Sequence, residues 1–149
     1  MKQLTRLALV AGIYVALTIA LAPISYGMVQ VRIAEAMMLL CCFDKRYGIA
    51  LTLGCAIANL FGGFGLADIL IGTLATALAA VCMGRTRNLF LSSLWAVGFN
   101  ALLVGGMLAV MTETPFWLNA LSVGAGEFLS VSVVGVLIFS LLRKKDFIK

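Results

Sequence analysis

Histidine is absent from the 149 residues, charged residues make up only 11%, and proline occurs twice. Each scarcity closes off a class of function. Without histidine, and with four cysteines (Cys41, Cys42, Cys55, Cys82) in no CxxC or other ligand spacing, zinc, haem and redox chemistry have no support. No cofactor and no metal are expected, and the cysteines read as small apolar packing residues. A soluble domain carries about 25% charged residues. With 63% apolar residues and a mean hydropathy of +1.13, this chain is expected to be an integral membrane protein. No Walker A motif occurs, so the chain cannot hydrolyse ATP itself. No nucleophile with a partner base is visible either, so it is not expected to be an enzyme.

What is present is a succession of apolar stretches. At about 20 residues per spanning helix, the length admits five or six spans in a single domain, 1–149. The stretches fall at about 4–21, 32–43, 49–61, 66–83, 89–111 and 117–142, which predicts an all-α, six-transmembrane-helix bundle. The apolar run of the second, Ile33 to Phe43, is too short to cross upright; it is expected to extend back through Arg32 or to shelter among other helices. The first stretch imitates a signal peptide, since Lys2 and Arg6 precede an apolar run ending in Ala20-Leu21-Ala22. That run is long for a signal sequence and Pro23 is a poor cleavage context, so it is expected to stay as a span.

Six spans put both termini and alternate loops on one side. That side holds Lys2, Arg6, Lys45, Arg46, Arg85, Arg87, Arg143, Lys144, Lys145 and Lys149, against Arg32 alone on the other. By the positive-inside rule both termini are cytoplasmic, and the turns at Pro23, Gly62 and Pro115 face outward from the cell membrane. The net charge of +5 therefore reads as membrane orientation and not as nucleic-acid binding. Arg85, Arg87 and the Arg143 to Lys145 cluster are also candidates to dock a cytoplasmic partner.

The acidic residues carry more information. Asp44 and Asp146 sit among the basic residues as ordinary salt partners. Glu35, Asp68, Glu113 and Glu127 fall on the outer side or in the outer half of spans, with Asn59, Asn100, Gln30, Arg32, Tyr26 and Trp117. Charge inside a membrane is costly unless it faces an interior, a vestibule or a partner, so these residues predict a pocket open to the outside. Other roles compete. Arg32 and Glu35 could pair along a helix, Asp68 could cap the fourth helix after the Gly62-Gly63-Phe64-Gly65 turn, and Asn59 and Asn100 could be hydrogen-bond glue between helices. Glu127 lies ten residues into an apolar span, and Gly124, Ala125 and Gly126 beside it leave space for a ligand.

Four carboxylates against one arginine favour a cationic ligand, or one presenting several N–H donors. An amine qualifies, as does the N1–H and exocyclic amino edge of a guanine-like base, whose two donors one carboxylate accepts together. Tyr26, Phe61, Phe64, Trp95, Phe99 and Trp117 offer stacking faces, with interface anchoring the competing role for the tryptophans. On the first span Ala8, Gly12, Ala16 and Ala20 recur every four residues, a small-residue face that permits close approach by another membrane helix, in the same bundle or in a partner.

Three blocks, Val31-Arg32-Ile33-Ala34-Glu35-Ala36, Gly54 to Gly63 (GCAIANLFGG) and Asp68 to Thr76 (DILIGTLAT), resemble the QueT family, the substrate-binding S components of energy-coupling factor (ECF) transporters for queuosine precursors. The resemblance runs from the small-residue first helix to the basic tail, and its middle block is the most specific part. It implies capture of a 7-deazaguanine such as pre-queuosine-1 or queuine from outside. It also implies assembly with a membrane T subunit and two cytoplasmic ATPases that power uptake. It places Arg32, Glu35, Asn59 and Asp68 at or near the pocket; Asn100 and Glu127 rest on their depth in the spans. It assigns Ala8, Gly12, Ala16 and Ala20 to the T-subunit face, with glycine in place of one alanine of the family's AxxxA pattern. The residues alone leave open an S component for another vitamin or nucleobase, or a self-contained small cation or multidrug exporter using its external carboxylates for proton exchange.

Overall fold

A computed structural model describes residues 1–27 and 29–145. Asp146 and Lys149, expected among the C-terminal charges, lie outside the described residues. All the regular structure described is helical: α1 (Lys2–Ala20), the short α2 (Ala22–Ser25), a 3₁₀ helix (Ile33–Cys42), α3 (Tyr47–Asn59), α4 (Asp68–Met83), α5 (Leu89–Thr112) and α6 (Phe116–Lys144). Three of these, α1, α5 and α6, are long and apolar enough to cross a membrane; the 3₁₀ helix, α3 and α4 are apolar but shorter. Helix ends fall close to the expected limits, with one exception. The backbone at Arg32 is extended (φ −94°, ψ 93°), so the second segment does not continue back through it.

That second segment is short and unusual. A 3₁₀ helix rises about 2.0 Å per residue and seldom lasts beyond three or four residues; this one has ten. It stretches farther than an α-helix of the same length, yet still falls short of the roughly 30 Å hydrocarbon core. Shelter makes up the difference, since Ala34, Glu35, Met38, Leu39 and Cys41 are all buried. Around it Tyr14, Leu51, Cys55, Ala79, Met83, Ala96, Val131 and Phe139 form the main core, and Ala75, Val104, Met107, Leu108 and Val123 a second one.

Small residues let the helix backbones approach. A side chain at Gly54 would stand 3.1 Å from the Ala11 carbonyl of α1, and one at Gly105 would stand 2.7 Å from the Ala120 Cα of α6. Hydroxyls bridge where glycine does not, as at the buried Ser93 Oγ to Ser132 Oγ contact of 2.7 Å. The cysteines are free thiols; Cys41 and Cys55 are buried in the core.

The turns gather into two sets. Tyr26, Phe64, Thr112 and Thr114 meet around one cleft, uniting the turns expected to face outward. Lys2, Arg6, Asp44 and Tyr47 line another at the opposite end of α3, and Lys45 and Arg85 share a third. Asp44 serves as a turn cap there, its Oδ1 accepting from the Arg46 N–H at 2.9 Å. The packed face of α1 carries Tyr14 and Thr18; Ala8, Gly12, Ala16 and Ala20 are all exposed on the other side, and nothing lies within 4 Å of a side chain built at Gly12. Among the described residues, then, the small-residue face is left exposed.

Candidate functional site

The site starts from an arginine that the backbone presents outside a helix. Extended at Arg32, the chain lets the guanidinium reach back, its Nε donating to the Ser25 carbonyl at 3.4 Å and its carbon 5.4 Å from the centre of the Tyr26 ring. Tyr26 is itself fixed, its hydroxyl donating to the Ala58 carbonyl at 2.5 Å. A cation over an aromatic face is favourable, more so where water is scarce, and Arg32 is buried. The Arg32 to Glu35 pairing that competes with a pocket role is not what holds Glu35, which takes its hydrogen bond at Oε1 from the Tyr14 hydroxyl of α1.

Glu35 and Glu127 are 1% and 3% exposed, and each keeps one buried oxygen, Oε2, without a hydrogen-bond partner. Each lies within electrostatic reach of the other and of Arg32. A buried charged oxygen without a donor is costly, more so in a low-dielectric interior. Two such oxygens, in an interior that also buries Arg32, are acceptors that an incoming donor would complete.

Asn59 and Asp68 do a different job. Asn59 Nδ2 donates to the Asp68 carbonyl at 3.0 Å, and Asp68 Oδ2 accepts from the Phe64 N–H at 2.9 Å, so the pair staples α3 to α4 across the glycine turn. The staple explains the glycines, since a Cβ at Gly62 would strike Asp68 Oδ2 and one at Gly72 would strike Asn59 Nδ2. Gly65 supplies the positive φ of +60° that the turn needs. Asp68 thus grips the turn behind it and does not cap α4. Asn59 Oδ1 remains buried and without a partner, a third open acceptor.

The remaining candidates divide. Gln30 is buried at a positive φ of 48° and lines the outer cleft of about 230 Å³ with Tyr26, Phe64, Leu118, Asn119 and Ser122. Asn100 is buried but donates to the Ala96 carbonyl of its own helix at 3.0 Å. Trp117 is 74% exposed with its ring against Phe116, and so stands apart from the cluster. Glu113 is exposed at φ 53°, where it ends α5. Of the four carboxylates expected together, Glu35, Asp68 and Glu127 are buried and Glu113 is exposed. Phe61 is exposed, and Trp95 stacks on Phe99 at 6.1 Å.

The space expected beside Glu127 is also reassigned. A Cβ at Gly126 would collide with the Val29 carbonyl and stand 2.9 Å from that of Gln30, because the backbone of these two residues lies directly against α6. Gly124 faces Ala101 on α5. The small residues admit backbone at Gly126 and a neighbouring helix at Gly124.

Three polar residues stand at breaks in the α-helical ladder. π-helical stretches run Asp68–Gly72, Asn100–Val104 and Phe128–Gly135, the last directly after Glu127. Such wide turns are rare and frequent at functional sites. Tyr14 is the residue that sequence reasoning missed. Its signal was a hydroxyl in mid-span on the face of α1 opposite the small residues.

The sequence profile of a family described as QueT transporter matches residues 4–144. A curated relative, "Queuosine precursor transporter QueT" of Lactococcus lactis subsp. cremoris (strain MG1363), is 31% identical over 159 residues, covering 96% of this chain and 93% of its own. No solved structure matches.

Proposed function

Since the chain belongs to the QueT transporter family, we propose that it is the substrate-binding S component of an ECF importer. Its substrate in this reading is a queuosine precursor, a 7-deazaguanine such as pre-queuosine-1 or queuine. The observation that carries the reading is that Glu35, Glu127 and Asn59 each keep a buried acceptor oxygen without a partner. A guanine edge brings N–H donors and an aminomethyl substituent brings an ammonium; both meet acceptors here, while Arg32 holds the net charge in check. Ligand enters through the outer cleft at Tyr26 and Gln30.

In this reading six helical segments span the cell membrane with both termini cytoplasmic. The gathering of the turns into an outer and a basic set supports it, as does the concentration of Lys and Arg in one of them. The exposed Ala8, Gly12, Ala16 and Ala20 face would seat the membrane T subunit, whose two ATPases supply the energy that this chain cannot. The Pro23 to Val31 loop closes over ligand against Gly126, and the loaded bundle then tilts on the T subunit to release its cargo inward.

The test is equilibrium binding of the purified protein to pre-queuosine-1, queuine and guanine, with riboflavin and biotin as controls. Submicromolar binding confined to deazaguanines supports the reading. Binding to none of them overturns it.

A further inference from the structure

The cleft shared by Lys45 and Arg85 lies at the basic end of the bundle, and none of the described residues lining it is a carboxylate. It runs between α3 and α4 and holds about 460 Å³. Its floor is made of small residues, since a Cβ at Gly48 would stand 3.1 Å from Ala80 Cβ. Ile49, Leu53 and Val81 form its sides and are largely exposed on the surface of the bundle. At the polar end stand Lys45 and Arg85. The aliphatic stem of Lys45 crosses Gly84, where a Cβ would stand 3.1 Å from its Cγ.

Among the described residues lining the cleft there is no acid. Asp44, next to Lys45 in the chain, caps the Arg46 N–H and lines the separate cleft with Lys2 and Arg6. A trough with an apolar surface and an unneutralised pair of cations at its membrane-edge end matches an amphiphile with one negative head. A free phosphate would leave the apolar sides unused, and basic pockets between membrane helices are suited to acidic headgroups. We propose that this groove seats an anionic phospholipid, with its phosphodiester between Lys45 and Arg85 and an acyl chain along Ile49, Leu53 and Val81. The site is independent of the substrate reading above.

The test uses full-length protein in nanodiscs of equal phosphatidylcholine and phosphatidylglycerol, followed by native mass spectrometry of the lipid it retains. Wild type should retain phosphatidylglycerol and phosphatidylcholine in a ratio about tenfold above that of the bulk bilayer. Lys45→Gln with Arg85→Gln should bring that to within about twofold of bulk. Ala77→Phe, which fills the trough and keeps both cations, should do the same. Arg87→Gln with Lys144→Gln removes as many charges elsewhere and should leave retention as in wild type. Melting temperatures show which variants are folded, and if Ala77→Phe is not, the charge pair decides. Absence of enrichment in wild type, or equal loss in the Arg87 and Lys144 control, overturns the proposal. Full lipid retention in the groove variants with loss of ATP-driven uptake also overturns it, and assigns the groove to a protein partner.

Discussion

The hydroxyl of Tyr14 on α1 donates to Oε1 of Glu35 on the 3₁₀ helix, and the other oxygen of Glu35 stays buried without a donor. The first helix thereby reaches the carboxylate cluster with one face while presenting its small residues outward with the other. Tyr14→Phe leaves both oxygens of Glu35 unanswered and should lower stability by about 1–3 kcal/mol. Thermal unfolding in detergent measures this, and saturating pre-queuosine-1 should recover part of the loss by donating in place of the tyrosine. Unchanged unfolding would mean that the bond carries nothing.

Glu35→Gln and Glu127→Gln should each weaken ligand binding by about 1–3 kcal/mol, because a carboxylate that accepts a buried hydrogen bond from a charged donor is worth about that much. Isothermal titration reads the change directly. Wild-type affinity in both variants would remove the pair from the site.

Asp68 should behave otherwise. Its Oδ2 holds the Phe64 N–H, so Asp68→Ala should cost about 1 kcal/mol of stability through the hairpin. Asp68→Asn, which keeps an acceptor oxygen, should cost less. A large loss of affinity with unchanged stability in Asp68→Asn would move this residue from the staple to the ligand.

Gly126→Val drives a side chain into the Val29 carbonyl and should displace the loop from α6. Ligand affinity should fall at least tenfold, about 1.4 kcal/mol, while circular dichroism stays helical. Gly98→Val on α5 is the control, since nothing lies within 4 Å of its Cβ.

Gly12→Leu separates binding from transport. The position is open on the outer face of α1, so the variant should bind ligand like wild type in detergent and fail in uptake by cells that supply the T subunit and ATPases. Loss of binding would show that α1 cannot be altered there without disturbing Tyr14.

Much of the helix pattern was legible because the apolar stretches are separated by charged or glycine-containing turns, and both signals are local. The state of the second segment was not, because the sequence of Ile33–Cys42 fits any buried helix. Its 3₁₀ winding depends on what surrounds it. The buried polar residues Arg32, Glu35, Asn59, Asp68, Asn100 and Glu127 were found from cost alone, since charge or amide in an apolar run needs a reason. Their partners were not found that way. That Asn59 reaches Asp68, that Glu35 turns to Tyr14 instead of Arg32, and that the Val29 carbonyl occupies the space at Gly126 are long-range facts with no signature in the nearby sequence. Trp117 shows the reverse failure, since an aromatic beside an outer turn suits a pocket wall and a membrane interface equally.

The π-helical stretches bear on how such a bundle opens. Those in α5 and α6 fall near the middle of each long helix, after Phe99 and Glu127. A wide turn is a natural bending point, because its backbone ladder is already interrupted and a change of angle there sacrifices little. Each long helix is thus two levers joined at a knuckle. The halves on one side of the knuckles can splay or close while those on the other side stay clamped, so an opening at one end of the bundle need not loosen the other.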